Sequence, residues 1–318
     1  MSNSVWNCLV VDAGARYGLH PSWRDARDLC EFHLFEPEPI EANRLKIRYQ
    51  NSANISVHAK ALAVKSETRR LTVRSHHGLS NLDTFDMDLS KIHPDFKSSA
   101  LETDKVDVDA VSIDEFFKNQ RVDFLKLDAE GSDFEILSGT KNSLNVSILG
   151  IRINFKFMKD SQKSATFSDI DILLQDFNFT VQRFEFAERI NKIQGLFPLT
   201  TDSGALLGGD AIWTRSPNDV YSRNSSELSV IYALFLYMNG LEDVALQFLV
   251  DAPKQSNLDL TDTANNPFLN LLETKILSHL SSALSAGWWK AKDITDTYSK
   301  LFNRDFPTKE ELYLRLYP

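Results

Sequence analysis

Residues 122–139 read VDFLKLDAEGSDFEILSG. The apolar stretch Asp123–Leu127 is typical of a buried β-strand, and the acid Asp128 follows it directly. Gly131 marks a turn, after which apolar residues at helical spacing predict a helix over Ser132–Leu144. A strand, a turn and a helix in this order form the repeating unit of a parallel sheet. This stretch therefore predicts an α/β fold with an acid at the carboxyl end of one strand.

The same alternation of short apolar runs and amphipathic stretches extends through residues 8–215. It predicts a mostly parallel, seven-stranded sheet flanked by helices. The last two strands have no convincing helix between them, so the final one is predicted to be an antiparallel edge strand. The predicted strands are Cys8–Asp12, Glu31–Phe35, Ile55–His58, Asp123–Leu127, Ile148–Phe155, Phe179–Phe186 and Asp210–Thr214. The predicted helices are His20–Leu29, Pro39–Tyr49, Ser112–Lys118, Ser132–Leu144 and Phe167–Asp176.

The strand pattern stops near residue 218, and the periodicity after it is helical. Asn239-Gly240 separates the first two helical runs as an end followed by a new start. Further helical runs are predicted over Phe268–Leu284 and Trp288–Phe302. We therefore predict two domains, an α/β domain over residues 1–217 and an all-helical domain over residues 218–318.

Composition and charge exclude several classes of protein. The chain of 318 residues has 35 Lys and Arg against 44 Asp and Glu, a net charge of −9 that disfavours general binding of nucleic acid. Its longest apolar run, Val230–Met238, is about half of what a membrane span requires. The two cysteines, Cys8 and Cys30, fit neither a disulfide framework nor metal-ligand spacing. With no signal peptide expected at the N-terminus, these features predict a cytoplasmic protein.

The first strand ends in an acid and leads into a loop with two glycines. Asp12 closes the strand, and Gly14 and Gly18 would let a cofactor approach the backbone closely. The G-x-G-x-x-G pattern that serves a dinucleotide pyrophosphate is missing. An acid at this position suits a cofactor with a cationic amino group. The junction therefore favours S-adenosylmethionine over NAD.

The second strand also ends in an acid. Glu36 follows Phe35 and can accept hydrogen bonds from both hydroxyls of a ribose. Pro39 then opens the next helix, and Glu38 between them is interpreted as a solvated acid of the turn. Because the carboxyl ends of parallel strands lie at one edge of a sheet, Asp12 and Glu36 are expected to face the same crevice.

These three junctions together resemble the FkbM family of S-adenosylmethionine-dependent methyltransferases. The resemblance is carried by Val11–Gly18, by Phe35–Pro39 and above all by Asp128-Ala129-Glu130-Gly131, which matches the D-x-E-G pattern of that family. It covers about residues 8–215. It implies a class I methyltransferase fold, a Rossmann-like mostly parallel sheet with the methyl donor lying across the carboxyl ends of its strands.

The resemblance also implies roles for individual residues. Asp128 and Glu130 would border the methyl group and take the proton of the acceptor. A metal-assisted reaction, with a divalent ion bound by the clustered acids, is kept as an alternative. The cofactor-binding positions implied are Asp12, Gly14, Ala15 and Gly18 for the methionine part, Glu36 and Pro37 for the ribose, Ala61 for the adenine, and Ser80 and Asp128 close to the cofactor.

Two positions depart from the usual family pattern. Arg16 stands where Asn is common, although Arg followed by Gly-Leu-x-Pro-x-Trp resembles one branch of the family. Asn154 stands where a Glu usually faces the active site, and an amide cannot act as a base at neutral pH. Asn154 is therefore included among the catalytic positions, where it replaces the carboxylate of the usual catalytic arrangement.

The function expected from this resemblance is O-methylation of a hydroxyl on a sugar, a glycan or a related metabolite. Its partner is then a small-molecule or glycan acceptor, with a protein partner or self-association through the helical domain as a further expectation. One alternative is a catalytically weak or inactive scaffold of the same fold that binds the cofactor. A second is a nucleotide-sugar or NAD-dependent enzyme, which the missing glycine pattern disfavours.

Overall fold

The computed structural model describes residues 8–82, 101–118, 120–157, 159, 165–190, 204–255, 266–285, 291–302, 305–308 and 311. These residues form two compact units. The α/β unit comprises residues 8–21 and 30–215, and the helical unit comprises Ser22–Leu29 and the chain from Ser216 onwards. The division of function between two domains stays a prediction.

The α/β unit contains the predicted sheet. Its strands are β1 (Cys8–Ala13), β2 (Cys30–Phe35), β3 (Ile55–His58), β4 (Ala61–Leu62), β5 (Glu67–Arg74), β6 (Glu102–Val111), β7 (Phe124–Leu127), β8 (Gly150–Lys156), β9 (Phe179–Ile190) and β10 (Ala205–Arg215). Its α-helices are α1 (Pro39–Tyr49), α2 (Ile113–Phe117), α3 (Asp133–Ser138), α4 (Lys141–Val146) and α5 (Phe167–Gln175).

Seven of the strands form one sheet in the order β3, β2, β1, β7, β8, β10, β9. The first five pair in parallel, and β10 runs antiparallel to both of its neighbours. Strands β1 and β7 at its centre are buried along their whole length. This order confirms the predicted class I methyltransferase fold. It also puts the carboxyl ends of β1, β2 and β7 side by side.

The prediction that Asp210–Thr214 lies at the sheet edge is wrong. Strand β10 pairs with β8 on one side and β9 on the other, and β9 is the edge strand. The apolar run Ala211, Ile212 and Trp213 in β10 is fully buried, as expected for an interior strand.

Three further strands form a second sheet that sequence analysis did not predict. Strand β6 lies between β4 and β5, parallel to β4 and antiparallel to β5. In β6, the buried Val108 and Ala110 alternate with the exposed Asp107 and Asp109. This period of two is the pattern of a strand with one buried face.

Two predicted helices differ from the structure. The helix predicted over Ser132–Leu144 is two helices: α3 ends at its C-cap Gly139, and α4 begins after Thr140. Gly139 packs closely against another segment. A Cβ atom there would lie 2.6 Å from the Ala63 carbonyl oxygen. The carboxylate of Asp114 accepts hydrogen bonds from the amides of Asn142 and Ser143, and so caps the second helix.

The segment His20–Leu29 forms a 3-10 helix at Pro21–Ala26 instead of the predicted α-helix. Its buried residues, Trp23 and Ala26, are three positions apart, which matches the three residues per turn of a 3-10 helix. From Ser22 onwards this segment belongs to the helical unit, where the Trp23 ring lies 6.0 Å from the Phe235 ring.

The helical unit confirms the predicted change to helical structure after residue 218. Its helices are α6 (Pro217–Ser222), α7 (Ser226–Met238), α8 (Glu242–Gln255), α9 (Pro267–Ser285) and α10 (Ala291–Phe302). The beginning of the run predicted at Trp288 lies outside the described residues. In the part of the chain that the structure describes, no helix is long and apolar enough to cross a membrane. Cys8 and Cys30, in the α/β unit, are buried free thiols.

Candidate functional site

A pocket lies at the carboxyl ends of β1, β2 and β7. It encloses about 740 Å³ of empty space, a volume that includes its open mouth. Several predicted site residues meet there. They are Gly14, Glu36, Pro37, Ala61, Ser80, Asp128 and Glu130. The pocket is also lined by residues that sequence analysis did not predict, among them Arg16, Tyr17, Lys60, Leu71, Asn81 and Leu82.

The loop after β1 packs against the turn after β7 at Gly14. Gly14 has a φ of +72°, and a Cβ atom on it would lie 1.9 Å from the carbonyl oxygen of Asp128. The amides of Gly14 and Ala15 both donate to the Phe35 carbonyl at 3.1 Å. Both amides are therefore hydrogen-bonded within the protein. Ala15 and Gly18 do not line the pocket, although sequence analysis assigned both to the cofactor.

Helix α1 holds the rest of this loop in place. The Arg16 guanidinium pairs with the Glu38 carboxylate at 2.6 Å and with Glu41 at 3.3 Å. The amide of Leu19 donates to the Tyr49 hydroxyl at 2.9 Å. The interpretation of Glu38 as a solvated acid is wrong, because it is buried and paired with Arg16. Its function is to anchor the loop that forms one wall of the pocket.

Glu36 lies buried in the wall of the pocket at the end of β2. Its Oε1 accepts a hydrogen bond from the Glu38 amide at 2.9 Å, which fixes the carboxyl group in place. Burial raises the pKa of Glu36 to about 7, and the bond from the Glu38 amide opposes that rise. A ligand that donates hydrogen bonds to this group would favour its charged form.

Glu36 should make the stability of the protein depend on pH. Its pKa is higher in the folded state than in the unfolded state, so its contribution is most favourable below about pH 4.5 and is lost as pH rises through about 7. We expect the Glu36→Gln variant to escape this loss, which amounts to about 3 kcal/mol. Denaturant unfolding at pH 5 and pH 8 measures it. The prediction fails if the variant loses as much stability as the wild type between those pH values.

The turn after β7 is organised by Asp133, which sequence analysis missed. Its carboxylate accepts hydrogen bonds from the amides of Ala129 at 2.9 Å and Gly131 at 3.3 Å. Burial raises the pKa of Asp133 to about 6. Within the turn, Glu130 adopts a left-handed φ of +49°, a conformation that is uncommon for residues other than glycine. The position of Asp133 one residue inside a predicted helix start was the signal that could have identified it.

Asp12 does not line the pocket. It is fully buried at the end of β1, directly across from Lys126 in the paired strand β7. The Lys126 ammonium lies 3.1 Å from Asp12 Oδ1 and 3.5 Å from Asp128 Oδ2. Asp12 therefore reaches the pocket only through Lys126 and Asp128. Lys126 is the second residue that sequence analysis missed, although it stands two positions before the predicted acid.

Asn154 lies in a different cavity. This smaller space, of about 310 Å³, is lined by Asn154 and by Asp133, Phe134 and Lys156 among others. The Asn154 amide donates to Asp210 Oδ1 at 3.0 Å, and Arg152 donates to the other oxygen of Asp210 at 3.1 Å. Asn154 thus links strands β8 and β10. A catalytic role for Asn154 stays a prediction.

The far end of the pocket is formed by the second sheet and the residues after it. Ala61 and Leu71 come from strands β4 and β5, and Asn81 pairs with Thr72 of β5 through its backbone. The Ser80 hydroxyl accepts a hydrogen bond from the Arg74 amide at 3.2 Å. This end is largely apolar, with a few polar groups placed around it.

Among the residues that the structure describes, no group of three or more His, Cys, Asp and Glu side chains could hold a metal ion. The acids at the ends of β1 and β7 are arranged around the ammonium of Lys126 instead. A metal requirement therefore has no candidate ligand set in this part of the chain.

The family model for the methyltransferase FkbM domain matches residues 12–181, more than half of the chain. Among solved structures, this chain is similar to methyltransferase FkbM from Methylobacillus flagellatus KT, with 13% identity over 65% of this chain and a TM-score of 0.35. The chain covers only 43% of that protein. Another similar structure is a SAM-dependent methyltransferase from Aquifex aeolicus, with 11% identity over 64% of this chain and 81% of that one, and a TM-score of 0.29. The comparison with curated proteins gives no match.

Proposed function

The chain belongs to the family of FkbM methyltransferases, and from this premise we propose that it transfers a methyl group from S-adenosylmethionine to a hydroxyl of a sugar, a glycan or a related metabolite. One observation carries the choice of donor. A single pocket brings together a buried carboxyl group at Glu36, the close backbone approach at Gly14, and the acids Asp128 and Glu130. This combination fits a ligand that has a ribose at one end and a positively charged centre at the other.

S-adenosylmethionine supplies a methyl group made electrophilic by its sulfonium. In our proposal the carboxylate of Glu36 accepts hydrogen bonds from the ribose hydroxyls, and the apolar end near Ala61 and Leu71 receives the adenine. Gly14 lets the loop after β1 pack directly against the backbone of Asp128, and so shapes the pocket wall. These assignments keep Glu36, Ala61 and Asp128 in their predicted roles. Asp12 acts instead through its ion pair with Lys126.

The acceptor is proposed from the chemistry of the turn after β7. Methyl transfer to a hydroxyl requires alignment of the two reactants and removal of one proton. Glu130 and Asp128 both line the pocket. We assign proton removal to Glu130, because it lines the pocket and because a carboxylate can accept the proton of a hydroxyl. Hydroxyls of sugars, glycans and related metabolites are the acceptor class that we expect.

Calorimetric titration with S-adenosylmethionine and S-adenosylhomocysteine tests the donor assignment. Both should bind, and Glu36→Ala should weaken both by about 1.5–3 kcal/mol, or roughly tenfold or more, because a charge-assisted bond is lost. Glu31→Ala is the matched control, since Glu31 belongs to the same strand but is exposed and contacts His33. Equal affinity in Glu36→Ala and Glu31→Ala would contradict the role of Glu36. Saturable binding of NAD, without binding of either sulfur compound, would contradict the donor itself.

A scaffold of the same fold is the second candidate. What favours it is Asn154 itself: its amide donates to Asp210 and cannot act as a base, at a position where the resemblance implies a Glu that faces the active site. A scaffold would bind the donor without transferring its methyl group. If Asn154→Glu creates activity in a protein that otherwise shows none toward a broad panel of sugars and alcohols, the scaffold reading is correct for the natural chain.

The helical unit is proposed to contact a protein partner or a second copy of the chain. The buried free thiols Cys8 and Cys30 also support a reducing, cytoplasmic location. Sedimentation of the whole chain at several concentrations would separate self-association from a monomer.

A further inference from the structure

Lys126 holds its ammonium between two carboxylates beneath the pocket. The side chain of Lys126 is 9% exposed, that of Asp12 is fully buried, and that of Asp128 is 43% exposed at the pocket wall. Asp12 and Lys126 face each other because strands β1 and β7 pair in parallel with these two residues in register. The three side chains form a charge cluster, defined here as Asp12, Lys126 and Asp128.

The ammonium of Lys126 stays charged at neutral pH. Burial favours the neutral form of Lys126, but the carboxylates of Asp12 and Asp128 outweigh it and raise its pKa to about 12. Burial also raises the pKa of Asp12, and the Lys126 ammonium opposes that rise. The geometry puts one ammonium between two carboxyl groups, at 3.1 Å from Asp12 and 3.5 Å from Asp128. The exposed member, Asp128, lines the pocket.

The neighbouring groups do not cancel the charge of the cluster. Burial, with the nearby cations Arg152 and Lys126, lowers the pKa of His20 to about 4, so His20 is neutral at pH 7. Arg152, which is the strand partner of Lys126 in β8, is paired with Glu185 and Asp210. The charged or titratable groups around the cluster are His20, Arg152, Glu185, Asp210, Glu130 and Asp133.

We propose that Lys126 limits the negative charge next to the donor: it pairs with Asp12, so that of the two acids at the ends of β1 and β7 only Asp128 faces the sulfonium donor, which carries one net positive charge. The inference rests on the proposed donor. S-adenosylmethionine carries a carboxylate, an ammonium and a sulfonium, whereas S-adenosylhomocysteine has lost the sulfonium and has no net charge. A single negative charge therefore favours the donor over its product. Lys126 acts as a positioning residue, because Asp128 and not Lys126 faces the pocket.

A series of three variants changes the cluster charge by known steps. Asp12→Asn leaves Lys126 and Asp128 and gives a net charge of zero. Lys126→Met leaves the carboxyl groups of Asp12 and Asp128 without the ammonium between them and so makes the cluster more negative as pH rises. The double variant with Asp12→Asn and Lys126→Met removes the ion pair but keeps the single charge of Asp128. The groups outside the cluster are the same in all three variants.

The quantity to measure is the ratio of the dissociation constant of S-adenosylhomocysteine to that of S-adenosylmethionine, by calorimetry from pH 6 to pH 9. In the wild type and the double variant we expect equal ratios at each pH, because Glu36 and Asp133, whose pKa values lie near this range, are the same in both. In Asp12→Asn the ratio should fall on the order of tenfold, because one unit of attraction to the sulfonium is lost. In Lys126→Met it should rise with pH, by up to about tenfold, as the second carboxylate ionises.

The double variant separates this role from a structural one. Removing one member of a buried ion pair leaves an uncompensated charge and is strongly destabilising, so Lys126→Met alone can fail to fold. The double variant leaves no buried charge, and Asp12→Asn provides a second single variant. A double variant whose ratio follows Asp12→Asn instead of the wild type would overturn the proposal, as would a ratio that is the same in every folded variant.

The same titrations distinguish this inference from the proposed function. If the wild type binds neither S-adenosylmethionine nor S-adenosylhomocysteine, the proposed donor is wrong and the inference falls with it. If the wild type binds both and the ratio ignores the cluster charge, the donor assignment stands and only the role of Lys126 is wrong.

Discussion

Replacing Glu130 with glutamine is expected to lower methyl transfer on the order of a hundredfold or more and to leave donor affinity nearly unchanged. The glutamine amide keeps the size of the side chain but cannot accept the proton of the acceptor hydroxyl. Glu130 lines the pocket. The turn is held by the Asp133 carboxylate, which accepts a hydrogen bond from the Ala129 amide, so the substitution should leave the turn intact. The measurement is transfer of radiolabelled methyl to a panel of sugars and oligosaccharides, with donor affinity from calorimetry.

Glu135→Gln is the matched control for this substitution. Glu135 lies a few residues further along in α3 and pairs with Arg69 at 2.7 Å, outside the pocket lining. It should keep methyl transfer close to that of the wild type. Asp128→Asn should affect donor binding and transfer together, because Asp128 belongs to both. Full activity in Glu130→Gln, or an equal loss in Glu135→Gln, would remove Glu130 from proton transfer.

Replacing Gly14 with alanine is expected to lower the free energy of unfolding by about 3 kcal/mol. Two effects add. The φ of +72° is unfavourable for alanine, and the new Cβ atom would lie 1.9 Å from the carbonyl oxygen of Asp128, which is backbone and cannot rotate away. The displacement would move the two loops that form the pocket wall, so donor affinity should fall as well. Denaturant unfolding and calorimetry measure the two effects separately.

Gly131→Ala separates the close approach from the backbone conformation. Gly131 also has a positive φ, +99°, but a Cβ atom on it would meet nothing within 4 Å among the described residues. This variant should therefore show only the conformational cost, about 1 kcal/mol. If Gly14→Ala is no less stable than Gly131→Ala, the contact between the first loop and Asp128 is not the cause of the requirement for glycine.

Much of the main sheet could be predicted from local pattern. Helix α1 begins at Pro39 and strand β3 covers Ile55–His58, both as predicted, because a proline start and a short β-branched run are local signals. The second sheet was missed although β6 alternates buried and exposed residues. Its exposed face is so rich in charge that the mean pattern resembles a loop. As a result Lys60, Leu71 and Asn81, which line the far end of the pocket, were missed as well.

The roles of individual side chains depended on contacts that the sequence does not display. Glu38 was interpreted as solvated, yet it is buried against Arg16. Asn154 donates a hydrogen bond to Asp210 of an interior strand, a contact that sequence analysis did not predict. In each case the partner lies in another segment of the chain. Local pattern predicts where a strand ends, but not which side chain of a neighbouring segment will meet it.

Local sequence pattern was enough to predict a mostly parallel α/β sheet with acids at the ends of three strands, and to indicate the resemblance of these acids to an FkbM methyltransferase pattern. Such features can be predicted because the apolar period and the turn residues act within one segment of the chain. Which of the acids face the pocket depends on contacts between segments. The register of β1 against β7 places Lys126 beside Asp12, and the two side chains form an ion pair. Glu36 and Asp128 line the pocket instead. Strand pairing brings together side chains from segments that are far apart in sequence. The charge of each acid depends on the neighbouring side chains that this pairing places beside it.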